Sequence, residues 1–245
     1  MVEGAAFMEI PGIRIRRNVY MIKAVIFDLD GTLVNSIHAI QRSVDLSLEK
    51  WGMRKITVDE CRVFVGDGYK KLLERALVAC GDSSLVHYEE AVALYPEIFK
   101  GCCMYRVKAY DGITKLLDFL KENHIKTAVL SNKPHPRTLD NVEGVFGKGR
   151  FDLVYGERED KGIKKKPAPD GVWALMEELG VGREEVLYLG DTNTDMRTGR
   201  NAQVDTAGVT WGFRDREELE AFHPKLIADH PMDVVRFIKD VNGIG

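Results

Sequence analysis

Apolar residues follow two rhythms along this chain. Short runs rich in β-branched residues form the first: residues 23–27 (KAVIF), 126–130 (KTAVL), 151–154 and 185–189 (EVLYL). Each has the length and composition of a strand buried on both faces. Residues 205–209 and 226–228 carry a weaker form of the same pattern. The second rhythm has helical spacing: Ile113, Leu116, Leu117 and Leu120 fall on one face, as do Val172, Leu175, Met176 and Leu179, with Gly180 as a stop. Strands separated by helices imply right-handed crossovers. The expected fold is therefore α/β, a parallel sheet with helices on both faces.

Between residues 35 and 108 the strand rhythm disappears. Ile37, Ile40, Val44, Leu48 and Trp51 mark one amphipathic helix. Leu72, Leu73, Ala76 and Leu77 mark another, and Tyr88, Ala91, Tyr95 and Ile98 a further one. Thr57, followed three residues later by Glu60, has the form of a capping box. The predicted organisation is an α/β core of residues 21–34 and 109–245, with residues 35–108 inserted as a helical cap. Residues 1–20 read as an extension, either disordered or upstream of a true start near Met21.

A length of 245 residues suits one core with a smaller insertion, and 44% hydrophobic residues suffice to fill it. The formal charge of -3 offers no general attraction for nucleic acid, and no apolar run approaches the length of a membrane span. Cys61, Cys80, Cys102 and Cys103 match no zinc spacing, so free thiols in the reducing cytoplasm are expected.

Chemistry concentrates where strands end. Asp28-Leu29-Asp30-Gly31-Thr32 follows the first strand, at the edge where open parallel sheets bind ligands. A carboxylate there can attack phosphorus directly, which makes Asp28 the candidate nucleophile. Asp30 can protonate the leaving oxygen and later activate water. Gly31 permits a sharp turn close to a phosphate. Ser131, in Ser131-Asn132-Lys133, offers a hydroxyl at the next strand end. Lys166 lies in a lysine run stiffened by Pro167 and Pro169, placed to neutralise repulsion between Asp28 and an incoming anion. Asp191 and Asp195 follow the strand at 185–189. Carboxylates of Asp28 and Asp191 together form an oxygen-rich site suited to Mg2+.

The order of these four segments resembles the haloacid dehalogenase superfamily of phosphatases, which has a Rossmann-like core. The resemblance implies Asp28 and Asp30 as nucleophile and acid/base, with Lys166 as the catalytic cation. It also implies Gly31, Thr32, Ser131 and Asn132 at the substrate and a supporting role for Asp195. The metal would be held by Asp28, Asp191 and the backbone carbonyl of Asp30. Val65-Gly66-Asp67-Gly68-Tyr69, Tyr110-Asp111-Gly112-Ile113 and Val209-Thr210-Trp211-Gly212-Phe213-Arg214 narrow the likeness to the phosphoglycolate phosphatase group. The dehalogenase branch lacks a second aspartate in the first motif, so Asp30 favours phosphate chemistry.

The expected activity is removal of phosphate from a small phosphorylated metabolite, with 2-phosphoglycolate the best guess. A sugar-phosphate phosphatase, a phosphomutase and a pyrophosphatase are alternatives on the same core. Lys70, Lys71 and Arg75 are the cap cations considered for a substrate carboxylate, and Lys133 and His135 the groups beside the second motif.

Overall fold

Ala24–Phe27 (β3) is buried along its whole length, because both faces of this strand are covered. Val25 and Phe27 point into one core and Ala24 and Ile26 into another, as the two-residue period of a strand requires. The computed structural model describes residues 21–245. Before them only the backbone of Phe7–Ile10 (β1) and Ile13–Arg16 (β2) is described, as an antiparallel pair. The expectation for residues 1–20 otherwise lies outside the described residues.

Lys126–Pro134 (β6) pairs with β3 on one side and Val186–Gly190 (β8) on the other, both parallel. Leu153–Glu157 (β7), Asp205–Val209 (β9) and Leu226–Ala228 (β10) complete a six-stranded parallel sheet in the order β10-β9-β8-β3-β6-β7. The chain leaves β3 toward β6 and later crosses to β8, so the strand order reverses at β3. That reversal opens a crevice beyond the carboxyl ends of β3 and β8.

Ile113–Glu122 (α5), His135–Phe146 (α6) and Pro231–Asn242 (α10) pack with the Val25/Phe27 face. Asp170–Leu179 (α7) and Asn193–Ala202 (α8) pack with the Ala24/Ile26 face. Each Leu, Ile or Val buried this way stabilises the fold by roughly 1.5–3 kcal/mol. A short helix, Arg216–Glu220 (α9), follows β9.

Ile37–Glu49 (α1), Val58–Phe64 (α2), Tyr69–Ala79 (α3) and Tyr88–Cys102 (α4) surround a separate core. Ile37, Ile40, Val44 and Leu48 enter it from α1, and Leu72, Leu73, Ala76 and Leu77 from α3. Thr57 and Glu60 form the reciprocal bonds of a capping box at the start of α2, at 3.1 and 2.8 Å. Val34–Asn35 (β4) and Lys108–Ala109 (β5), an antiparallel pair, carry the chain out to these helices and back.

Three local expectations shift. The strand expected at 151–154 runs instead over Leu153–Glu157. Phe151 is buried, but as a core side chain set edge-on to Phe27 and Phe146 rather than as part of the ladder. Phe99, not Ile98, fills the α4 core position. Trp51 lies beyond the end of α1, stacked on His87 at 4.9 Å. All four cysteines are free, and among the described residues no helix is long and apolar enough to cross a membrane.

Candidate active site

Asp28 is the first residue past β3 and Asp191 the first past β8, so adjacent parallel strands deliver both carboxylates to one rim. Lys166, from the loop before α7, reaches into the same place. Its Nζ donates to Asp28 Oδ1 at 2.7 Å and to Asp195 Oδ1 at 2.7 Å. All of these groups are buried, the Lys166 side chain being only 4% exposed.

Asp195 is the third residue of α8 and completes a capping box with Thr192. Its Oδ2 accepts from the Thr192 hydroxyl at 2.6 Å and the Thr192 amide at 3.1 Å, while Oδ1 also accepts from the Tyr188 hydroxyl at 3.0 Å. A helix-capping residue and a lysine anchor are thus the same side chain. Asp191 is steadied from two sides, by the Thr32 hydroxyl at 2.9 Å and the Phe213 amide at 2.8 Å.

Oxygens of Asp28, Asp191 and Asp195 lie within 4.8 Å of one another. Three buried carboxylates lie beside one ammonium, and the excess negative charge is felt by Asp28 and Asp191. Burial, then repulsion from Asp195, pushes Asp28 up to about 7, against the pull of Lys166. Burial, with Asp28 and Asp195 adding to it, raises Asp191 well above the usual carboxylate range. Burial opposes charge on Lys166, but Asp195 and Asp28 overcome it and hold its pKa well above the ordinary lysine value. A hard divalent cation fits this donor set, since it would balance the excess charge. Each Asp195 oxygen already accepts two hydrogen bonds, from Lys166 and Tyr188 or from the Thr192 amide and hydroxyl, whereas each Asp191 oxygen accepts one, which leaves Asp28 and Asp191 as the better side-chain donors.

Asp30 stands two residues beyond Asp28, half-buried at the cleft. Its Oδ1 accepts from the Ser36 hydroxyl at 2.5 Å and from Lys133 Nζ at 2.7 Å. Lys133 is itself buried and also donates to Asn141 at 2.5 Å. Ser131 lines the cleft, its oxygen accepting the Lys133 amide at 3.2 Å, which leaves its hydroxyl hydrogen for another acceptor.

Other expected substrate residues have work to do within the protein. Thr32 spends its hydroxyl on Asp191. Asn132 pins the Lys166 backbone, accepting from its amide at 2.8 Å and donating to its carbonyl at 3.0 Å. Gly31 has φ +94°, and a Cβ there would lie 2.2 Å from Asp191 Oδ2. The space a side chain would need is occupied by the Asp191 carboxylate. Gly31→Ala is expected to displace Asp191 and lower kcat/KM by about 100-fold or more in a folded protein. Steady-state kinetics with circular dichroism as the folding control checks this.

The cleft lies between the sheet rim and the four-helix unit. Ile40, Val65, Tyr69, Leu72, Tyr95 and Phe99 face it from the helices, and Phe213 from the loop after β9. Gly66 and Gly68 line it at the turn before α3. Lys70, Lys71 and Arg75 do not line it. Lys71 pairs with Glu74 at 2.6 Å, and Arg75 with Asp67 at 2.6 Å. His135 also faces elsewhere, its Nδ1 accepting the Gly156 amide at 3.1 Å. Burial, then the Arg158 charge, lowers its pKa.

Tyr188, Thr192, Gly212 and Phe213 were not singled out as parts of this site from sequence. The Thr192–Asp195 spacing of a capping box was a readable signal for one of them. The others act through contacts that only the folded chain creates.

A profile of the haloacid dehalogenase-like hydrolases matches residues 25–209. A protein of Aquifex aeolicus named phosphoglycolate phosphatase is 30% identical over 216 residues, covering 88% of this chain and 96% of the relative. A pyrophosphatase of Listeria monocytogenes is 25% identical over 220 residues, covering 89% and 97%. A crystal structure from Lactobacillus delbrueckii, itself provisionally described as a phosphoglycolate phosphatase, superposes with a TM-score of 0.82 at 29% identity. It covers 89% of this chain and 98% of that one.

Proposed function

Because the chain belongs to the haloacid dehalogenase-like hydrolases and is a phosphatase, we propose that it is a magnesium-dependent phosphomonoesterase that works through an aspartyl-phosphate at Asp28. The observation that carries this reading is the charge arrangement at the rim: Asp28 shares Lys166 with Asp195, while Asp191 beside them has no cation of its own among the described residues.

In this mechanism an oxygen of the Asp28 carboxylate attacks phosphorus. The phosphorus–ester oxygen bond breaks as Asp30 gives its proton to the departing alkoxide. Asp30, now a carboxylate, takes a proton from water as the water oxygen attacks the phosphoaspartate. Phosphate leaves and Asp28 is regenerated. Lys166 stabilises the negative charge gathered at Asp28, and the Ser131 hydroxyl donates to a phosphoryl oxygen. Ser36 and Lys133 hold the Asp30 carboxyl at the cleft.

Asp28, Asp191 and the Asp30 carbonyl would hold Mg2+, which when bound supplies neutralising charge for the phosphoryl oxygens. The four-helix unit acts as a cap, its apolar wall excluding water from the reacting groups. The relatives named phosphoglycolate phosphatase support 2-phosphoglycolate as the first substrate to assay. Relatives named pyrophosphatase support pyrophosphate as a second.

The test is a panel of phosphoglycolate, sugar phosphates, nucleotides and pyrophosphate, with magnesium and with EDTA. One phosphate per phosphoglycolate, released only with magnesium, is expected. Two phosphates per pyrophosphate at higher kcat/KM would favour the second substrate. Interconversion of sugar-phosphate isomers without free phosphate would show a mutase and refute the hydrolase reading.

A further inference from the structure

The loop after β9 touches both halves of the molecule within three residues. Gly212 lies against Asp191 so closely that a Cβ on it would sit 2.3 Å from the Asp191 Cβ. The Phe213 amide donates to Asp191 Oδ2 at 2.8 Å, while its ring packs among the helices of the cap. Arg214 then points away from the rim. Its guanidinium donates to the carbonyls of Arg62, Val63 and Val65, the last two at 3.2 and 2.8 Å. These carbonyls belong to the carboxyl end of α2, where backbone acceptors have no partner within the helix and the helix dipole favours a cation.

Packing alone does not require this arrangement. Arg214 is only 13% exposed on its side chain and its near carboxylate, Glu218, is 3.5 Å away. Its Nε makes the ion pair with Glu218, while Nη1 and Nη2 go to a segment some 150 residues distant in sequence. Two other polar bonds join core and cap nearby, from the Thr194 hydroxyl to Asp67 Oδ1 at 2.8 Å and from Asn132 Nδ2 to the Gly66 carbonyl at 3.3 Å. The first of these ends on Thr194, three residues after Asp191 in the chain, whereas the Phe213 amide bonds the Asp191 carboxylate itself.

We infer that Arg214 is a positioning residue for Asp191. Its bonds to the end of α2 tie cap docking, through Phe213 and Gly212, to the place where the Asp191 carboxylate stands. If the cap swings away, Arg214 loses its acceptors and the Phe213 amide loses the restraint that aims it at Asp191. Coupling of this kind is reciprocal, so a cation that fixes Asp191 must also favour the docked cap. The inference rests on the proposed role of Asp191 in holding magnesium.

Deuterium uptake across residues 62–68 of the full chain, with EDTA or with magnesium chloride, reads the docking. The magnesium concentration giving half-maximal hydrolysis of an aryl phosphate reads the site. In the wild type, magnesium is expected to slow uptake at 62–68. Arg214→Ala is expected to abolish that response and to raise the half-saturating magnesium concentration about tenfold. Arg214→Lys, which keeps the charge but not the fork, should restore part of both.

An Arg214→Ala protein with the wild-type magnesium response and half-saturation overturns the inference. Should that variant fail to fold, Arg214→Lys decides: a shift of about threefold supports the coupling, and no shift overturns it. A wild type whose turnover ignores magnesium overturns the proposed function, and the coupling with it. Magnesium-dependent turnover with an indifferent Arg214 variant overturns the coupling alone.

Discussion

Asp28→Asn is expected to lose turnover by at least about 10⁴-fold while remaining folded, because the amide cannot form the phosphoaspartate. The same substitution carries a stability signature of opposite sign. In the folded protein Asp28 is pushed up to about 7 from 3.8, chiefly by burial. A carboxyl raised in the native state binds more protons there than in the unfolded chain. Its favourable contribution is complete below about pH 4 and is lost as pH rises toward 7. Asparagine has no such loss. In EDTA, the melting temperature of Asp28→Asn should therefore exceed that of the wild type at pH 7.5, and the gap should close toward pH 4. Magnesium should narrow the gap at pH 7.5 by stabilising the wild type preferentially. A dead variant that melts lower at pH 7.5 in EDTA would mean that Asp28 is held by contacts that outweigh its buried charge.

Lys166→Met should have the second largest effect, and here activity and stability fall together. The ammonium that bridges Asp28 and Asp195 is replaced by a chain of similar length with no charge. Both carboxylates stay buried. Removing one member of a buried ion pair typically destabilises by about 3–5 kcal/mol. For a chain of this size that lowers the melting temperature by roughly 6–20 °C. Raising the pH ionises Asp28, whose carboxyl burial pushes up to about 7 even with Lys166 beside it, so the deficit should grow from pH 5 to pH 8. Turnover should fall by about 10³-fold, because the charge gathered at Asp28 loses its nearest stabiliser. Urea unfolding at several pH values, beside kinetics at saturating magnesium, checks both parts. Wild-type stability with lost activity would confine Lys166 to the chemistry.

The rim of the sheet was readable because its strands are buried on both faces and end abruptly in polar residues. Asp28, Ser131 and Asp191 each follow an apolar run, and the run itself announces where the side chain will stand. The arrangement behind them was not readable. Asn132 pins a backbone 34 residues away and Lys133 reaches Asp30 across 103 residues. No local pattern encodes such distances. Phe151 shows the opposite difficulty. An aromatic buried against Phe27 looks like strand in sequence, because burial and ladder pairing leave the same apolar trace. The cap cations Lys70, Lys71 and Arg75 follow a glycine turn that does line the cleft. Yet helical geometry turns Lys71 and Arg75 onto Glu74 and Asp67.

The paired segments β4 and β5 have a consequence for how such a molecule can be rebuilt. The outbound and returning chains run side by side, with Asn35 opposite Lys108 and Val34 opposite Ala109. Everything from 36 to 107 is therefore a closed excursion whose two ends meet at a single doorway. Another excursion with ends equally close could be spliced there without moving any strand of the main sheet. The helical wall of the cleft and the sheet rim opposite it can then diversify as separate parts.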